Sequence, residues 1–126
     1  MSGLLLDTHV VIWWFESSTE LPQNVRKAIE TEAFDVYVSA ATAWEIVIKS
    51  AKGHLRTPDD FEETAENAGF KLLPMTVRHA LAVRNLESHH NDPFDRMLVA
   101  QARVEGLTLV TRDAWIQRYD VSLMPA

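Results

Sequence analysis

Short apolar runs alternate along this chain with longer stretches in which apolar residues recur every three or four positions. Leu4 to Leu6, Val36 to Val38, Leu72-Leu73, Leu107 to Val110 and Val121 to Leu123 read as short strands. The first three lack polar alternation, as strands covered on both faces do. The intervening pattern predicts helices over Val10 to Phe15, Pro22 to Glu32, Ala40 to Ala51, Pro58 to Ala68, Val77 to Leu86 and Pro93 to Glu105. Punctuation agrees: Pro22 and Pro93 suit a first turn, Thr76 suits an N-cap, and Gly53, Gly69 and Gly106 suit helix ends. Strands separated by helices pair in parallel. The expected fold class is α/β, with a central, mostly parallel sheet of about five short strands flanked by helices. No repeat, low-complexity tract or Gly/Ser linker divides residues 1–126, so they are read as one domain.

Four acids interrupt this pattern where burial would disfavour them. Asp7 ends the run Leu4-Leu5-Leu6, Glu45 lies inside the apolar stretch Ala40 to Ile48, Asp95 opens Met97 to Ala102, and Asp113 follows Leu109-Val110-Thr111. A carboxylate so placed is costly unless it is paired or holds a cation. In open α/β sheets, sites form outside the carboxyl ends of the strands. Asp7 and Asp113 follow strands, Glu45 sits in the helix leaving the second strand, and Asp95 opens the helix that precedes the fourth. All four can therefore face one edge.

Structural roles compete with this reading at each position. Asp92-Pro93-Phe94-Asp95 places Asp92 as N-cap, Pro93 at N1 and Asp95 at N3, where an acid can simply complement the helix dipole. Yet Asp95 shares a face with Leu98, Val99 and Ala102 by helical spacing, which turns it toward the core edge. Thr42-Ala43-Trp44-Glu45 matches a capping box, and Glu45 with Lys49 matches an i, i+4 ion pair. Asp113 can cap the segment Ala114 to Arg118. Asp7 has no neighbouring base and is the hardest to explain structurally.

The donor set selects the metal. Carboxylates are hard oxygen ligands and suit Mg²⁺ or Mn²⁺, whereas zinc favours His or Cys. There is no cysteine, and no histidine pair has a suitable helical spacing. His89 and His90 are adjacent and point apart, so they border a site rather than build one; His9, His54 and His79 read as surface or packing residues. Carboxylate-held divalent ions suit phosphoryl chemistry, with two ions about 3.5–4 Å apart in the two-metal arrangement. Without a P-loop or Gly-rich phosphate cradle, a phosphodiester hydrolase is favoured over a nucleotide-driven kinase.

Charge refines the picture. Eighteen acids against twelve bases give a net charge of −6, which opposes a nucleic-acid binder held by charge alone. Lys49, Lys52 and Arg56 trail the Glu45 helix, and Arg96 and Arg112 flank two site acids. Lys49, Arg96 and Arg112 are the candidate substrate contacts, against the alternative of solvated surface charge. No apolar run reaches the ~18 residues of a membrane span. MSGLLLDTHVVIWWFE lacks a basic leader region, and the absence of cysteine suits a reducing compartment. A cytoplasmic protein with no membrane partner is expected.

The blocks LLLDTHVVIWW, SAATAWEIVIKSAKGHL, HHNDPFDRMLVAQA and LTLVTRDAWI resemble the PIN-domain ribonucleases, specifically the VapC-type toxins of type II toxin–antitoxin pairs. The resemblance spans almost the whole chain, and the third block is the most specific. It implies that Asp7, Glu45, Asp95 and Asp113 are the catalytic and metal-binding acids. It also implies a Mg²⁺- or Mn²⁺-dependent endoribonuclease acting on RNA, a homodimer and a cognate antitoxin that blocks the site. Trp13, Trp14 and Phe15 cannot all face inward from one short helix, so one of them is expected at a protein contact. Two other readings fit the acid pattern less well. A phosphoacceptor receiver domain needs an acid after the third strand, where Leu72-Leu73-Pro74-Met75 stands. A PIN-like scaffold that only binds RNA or a partner would not need the complete acid set.

Overall fold

The computed structural model describes residues 3–53 and 60–126. The expected helix start at Pro58, and the expectations for His54 and Arg56, lie outside them. Strands β1 (Leu4–Leu6), β2 (Val36–Ser39), β3 (Lys71–Leu73), β4 (Thr108–Thr111) and β5 (Leu123–Pro125) form one sheet in the order β3-β2-β1-β4-β5. Every pairing is parallel, so the expected mostly parallel sheet is parallel throughout. The last strand lies two residues beyond the expected Val121 to Leu123, because it pairs in register Leu109 with Leu123 and Thr111 with Pro125. Pro125, which has no N–H to give, is tolerated because β5 is an edge.

Strand alternation divides the core into two layers. Leu4 and Leu6 join Val10, Val25, Ile29 and Val110 on one face, under helices α1 (Thr8–Phe15), α2 (Gln23–Glu30) and α4 (Phe61–Asn67). Leu5 and Leu109 join Leu98, Val99, Ala102 and Ile116 on the other face, under α3 (Ala40–Ala51), α5 (Val77–Ala82) and α6 (Pro93–Glu105). The three leucines of β1 are essentially inaccessible, and truncating any one to alanine should cost about 2–5 kcal/mol.

Helix ends follow the local chemistry. Asp7 caps α1 by accepting from the Val10 N–H, so that helix begins two residues earlier than its apolar pattern. Ser39 caps α3 through the Ala41 N–H and also donates to Gln101 Oε1 at 2.6 Å, tying β2 to α6. The alternative of a capping box at Thr42 and Glu45 is therefore not realised; as the apolar pattern from Ala40 suggests, Thr42 is buried inside a helix that has already begun. Thr76 and His79 form a reciprocal capping box at α5. The expected Val77 to Leu86 helix tightens to a 3₁₀ turn at Val83–Asn85 and ends there. Pro22 is the N-cap of α2 rather than its first residue. Gly106 ends α6 in the left-handed conformation, φ 67°, which a side chain would strain.

Candidate active site

The carboxyl ends of β1 and β4, with the α3 and α6 helices beside them, frame an open cleft of about 370 Å³. Asp7, Glu45, Asp95 and Asp113 all line it, together with Asp92, Lys49, Arg112 and Trp13. Positions up to 106 residues apart (Asp7 and Asp113) converge because a parallel sheet puts every strand's carboxyl end on the same side.

The four acids are held in different ways. Asp7 is buried; one oxygen accepts from the Val10 N–H at 3.0 Å and the other from the Thr111 hydroxyl. Burial raises its pKa, although both hydrogen bonds act to lower it. Glu45, also buried, accepts from Thr8 Oγ1 at 2.5 Å and from Lys49 Nζ at 2.5 Å, so the expected i, i+4 pair is present. Asp113 gives one oxygen to the Trp115 and Ile116 N–H groups at 2.8 and 2.9 Å, capping the 3₁₀ turn Ile116–Arg118. Its capping role therefore coexists with its place in the cleft. Asp95 occupies N3 of α6, where Asp92 Oδ1 receives its N–H. Its own carboxylate meets His90 Nε2 at 3.3 Å. Burial, followed by the charges of Asp92, Asp113, Glu45 and Asp7, pushes Asp95 up to about 8.

This is an oxygen-rich site in which Lys49 offsets only part of the like charge. The donor atoms are hard, they line one cleft, and the crowding around Asp95 disfavours its ionisation in a way that a bound cation would reverse. The residues thus fit a hard divalent cation. Among the described residues, the tightest set of ligand atoms belongs to His90, Asp95 and Asp113, all within 4.8 Å of one another. Asp7 and Glu45 line the same cleft with their oxygens braced by Thr111, Thr8 and Lys49.

His90 is the residue the sequence pattern underweighted. It does border the site, as its place before Asp92 suggests, and a loop rather than a helix brings it back to Asp95. Its Nδ1 faces Tyr119 Oη at 3.0 Å. His89 instead packs edge-on against Tyr119. Thr8 and Thr111 also brace site acids; their only sequence signal is that Thr8 follows Asp7 and Thr111 lies two residues before Asp113.

The three candidate bases separate. Lys49 lines the cleft, and its hydrogen bond to Glu45, with the charges of Asp92 and Asp95, raises its pKa and keeps it protonated. Arg112 lies at the rim over the Trp13 ring, 4.4 Å from its centre, while donating to Glu20 and to the Ala126 carbonyl. Arg96 does not reach the cleft. Its guanidinium donates to the Glu87 and Val83 carbonyls and to Tyr119 Oη, so the expectation that it reaches outward to substrate is corrected. The apolar trio is also more fully used than expected. Trp14 packs on Phe70, Phe15 on Phe61, and Trp13 lines the cleft.

The sequence pattern of the PIN domain family matches residues 4–122. Ribonuclease VapC22 of Mycobacterium tuberculosis is 31% identical over 117 residues, covering 90% of this chain and 88% of that protein. The fold is similar to DNA-bound VapBC from Salmonella typhimurium, at 18% identity and a TM-score of 0.74 over 99% of this chain and 98% of that one. It is also similar to VapBC2 from Rickettsia felis bound to a promoter DNA fragment, at 13% identity and a TM-score of 0.69 over 98% of each chain. The chain belongs to the PIN-domain family, as a VapC-type member.

Proposed function

We propose that residues 1–126 act as one metal-dependent endoribonuclease domain, the toxin of a toxin–antitoxin pair, in the cytoplasm. The observation that carries this reading is the convergence of Asp7, Glu45, Asp95 and Asp113 in one cleft of a PIN fold. The 31% identity to a protein named as a ribonuclease supports RNA as the substrate.

In this reading the four acids hold Mg²⁺ or Mn²⁺, which when bound would help ionise a water and neutralise charge on the scissile phosphate. The chain's own groups prepare that site. Thr111 and the Val10 N–H fix Asp7, His90 fixes Asp95, and the Asp113 cap fixes the direction of its carboxylate. Lys49 neutralises Glu45 at rest and stands within the cleft, ready to share its charge with a phosphate oxygen. Arg112 supplies a second positive group at the rim, where it also pairs with Glu20.

A cognate antitoxin is the proposed protein partner, supported by neighbours described as VapBC assemblies. A homodimer is proposed across an apolar groove between α3, α5 and α6. Trp44, Met75 and Val77 there are 55%, 41% and 76% exposed, beside Phe94 and Met97. Among the described residues no helix is long and apolar enough to cross a membrane.

The deciding experiment is cleavage of bulk bacterial RNA by the purified chain. Activity should require Mn²⁺ or Mg²⁺, stop with chelator, and be lost in Asp95→Asn. Chelator-insensitive cleavage, or parental activity in Asp95→Asn, would overturn the reading.

A further inference from the structure

Trp115 is an exposed aromatic ring set one step from the carboxylate cluster. It is 48% exposed, a large apolar surface without core function. Its ring lies parallel to that of His90, at 8° and 6.1 Å between centres. His90 in turn is clamped from both ends, by Tyr119 Oη at 3.0 Å and by Asp95 Oδ2 at 3.3 Å. The backbone of Trp115 is also fixed, because its N–H donates to Asp113 Oδ1 at 2.8 Å. Arg118 places its guanidinium over the indole face, 5.0 Å from its centre. Asp113 therefore fixes the backbone of one flat, half-exposed ring, which lies parallel to the His90 that Asp95 holds and carries a cation over its face.

The geometry points to Trp115 as a stacking shelf for a nucleobase of single-stranded RNA next to the scissile phosphate, the base taking the place of the Arg118 guanidinium on the indole and the released guanidinium contacting a flanking phosphate. This rests on the nuclease reading above. A planar aromatic in line with a second ring accepts any base face without reading its hydrogen-bonding edge, and a neighbouring guanidinium suits the backbone. A protein contact fits less well. The accessible residues around Trp115 in sequence, Asp113, Ala114, Gln117 and Arg118, are small, polar or charged, Ile116 being buried, unlike the continuous apolar groove at Trp44. The shelf also answers the charge problem of a chain at −6. Stacking contributes affinity that net charge does not oppose, and it holds the strand by its bases while the acids face the phosphate.

The test compares the parent with Trp115→Ala, Trp115→Phe and Arg118→Ala. Cleavage is measured on bulk bacterial RNA. Binding is measured on random-sequence single-stranded RNA carrying 2-aminopurine, in the Asp95→Asn background. Trp115→Ala should weaken RNA binding about five- to a hundredfold, raise KM more than it lowers kcat, and abolish quenching of 2-aminopurine. Trp115→Phe should restore most of the affinity, and Mn²⁺ affinity should not change in either. Arg118→Ala should lower the salt dependence of RNA binding. If the parent cuts RNA with Mn²⁺ but Trp115→Ala binds and cuts like the parent, the shelf is overturned and the nuclease reading stands. The same holds if Trp115→Ala loses only a protein partner. A parent that leaves RNA intact overturns both.

Discussion

Arg96 donates from Nη1 to Tyr119 Oη at 3.0 Å, and that hydroxyl faces His90 Nδ1 at the same distance. His90 then meets Asp95. Arg96 and Asp95 are thus neighbours in sequence that meet again in space only through two intermediate side chains. The arginine supports the acid from behind and leaves the cleft to Lys49 and Arg112.

Removing Arg96 should therefore cost stability before it costs substrate contact. Its guanidinium satisfies backbone carbonyls of Glu87 and Val83 as well as Tyr119, and hydrogen bonds from a charged group contribute about 1.5–3 kcal/mol. Arg96→Ala should shift the urea midpoint down accordingly, while the salt dependence of RNA binding keeps its parental slope. Parental stability with a shallower salt slope would return Arg96 to the substrate.

Stability should fall with rising pH when divalent ions are absent. Asp95 is pushed up to about 8 from an ordinary value of 3.8, so the folded chain holds a proton that the unfolded chain releases between those values. The contribution is fully present below about pH 4 and is lost as pH rises through about 8; Asp7, raised by burial, acts in the same direction. Melting temperature in chelator should decline from pH 5 to 8.5. Asp95→Asn should flatten the decline, and millimolar Mn²⁺ should reverse it by binding the folded state alone. A profile indifferent to both would show that these carboxylates are not crowded.

The sheet and the meeting of the four acids in one cleft were legible because each rests on a local signal: buried apolar runs for β1, β2 and β4, and carboxylates breaking apolar segments. The Pro93–Glu105 helix was legible to its ends, since Asp92, Pro93 and Gly106 each act through the backbone beside them. Three features were not. The start of α1 depends on Asp7 capping, which its position after a strand disguises. The direction of Arg96 depends on carbonyls 9 and 13 residues away and on Tyr119. His90 gains its place from a loop, for which helical spacing offers no guide.

Self-association should depend on the groove at Trp44, Met75 and Val77. Val77 is 76% exposed at the first position of α5, so a lysine there is harmless to a monomer. At a closed apolar interface, an unpaired charge costs about 2–5 kcal/mol. Sedimentation should show a dimer for the parent and a monomer for Val77→Lys at micromolar concentration, with the same melting temperature at dilution. Equal masses for the two proteins would assign the groove to some other contact.

Asp7 separates metal affinity from folding most cleanly, because it serves both. One oxygen caps α1 and the other accepts from Thr111. Asparagine caps helices about as well as aspartate, whereas alanine loses about 1 kcal/mol at such a position. Asp7→Asn also removes a charge that burial opposes. In chelator its melting temperature should equal or exceed that of the parent, and Asp7→Ala should fall below both. In Mn²⁺ the order should change: only the parent gains stability, and calorimetric titration should show Mn²⁺ binding at least about tenfold weaker in Asp7→Asn, since an amide offers one neutral oxygen in place of a charged pair. Undiminished Mn²⁺ binding in both Asp7→Asn and Asp95→Asn would remove these acids from the metal site, leaving Asp7 as a helix cap and Asp95 as the partner of His90.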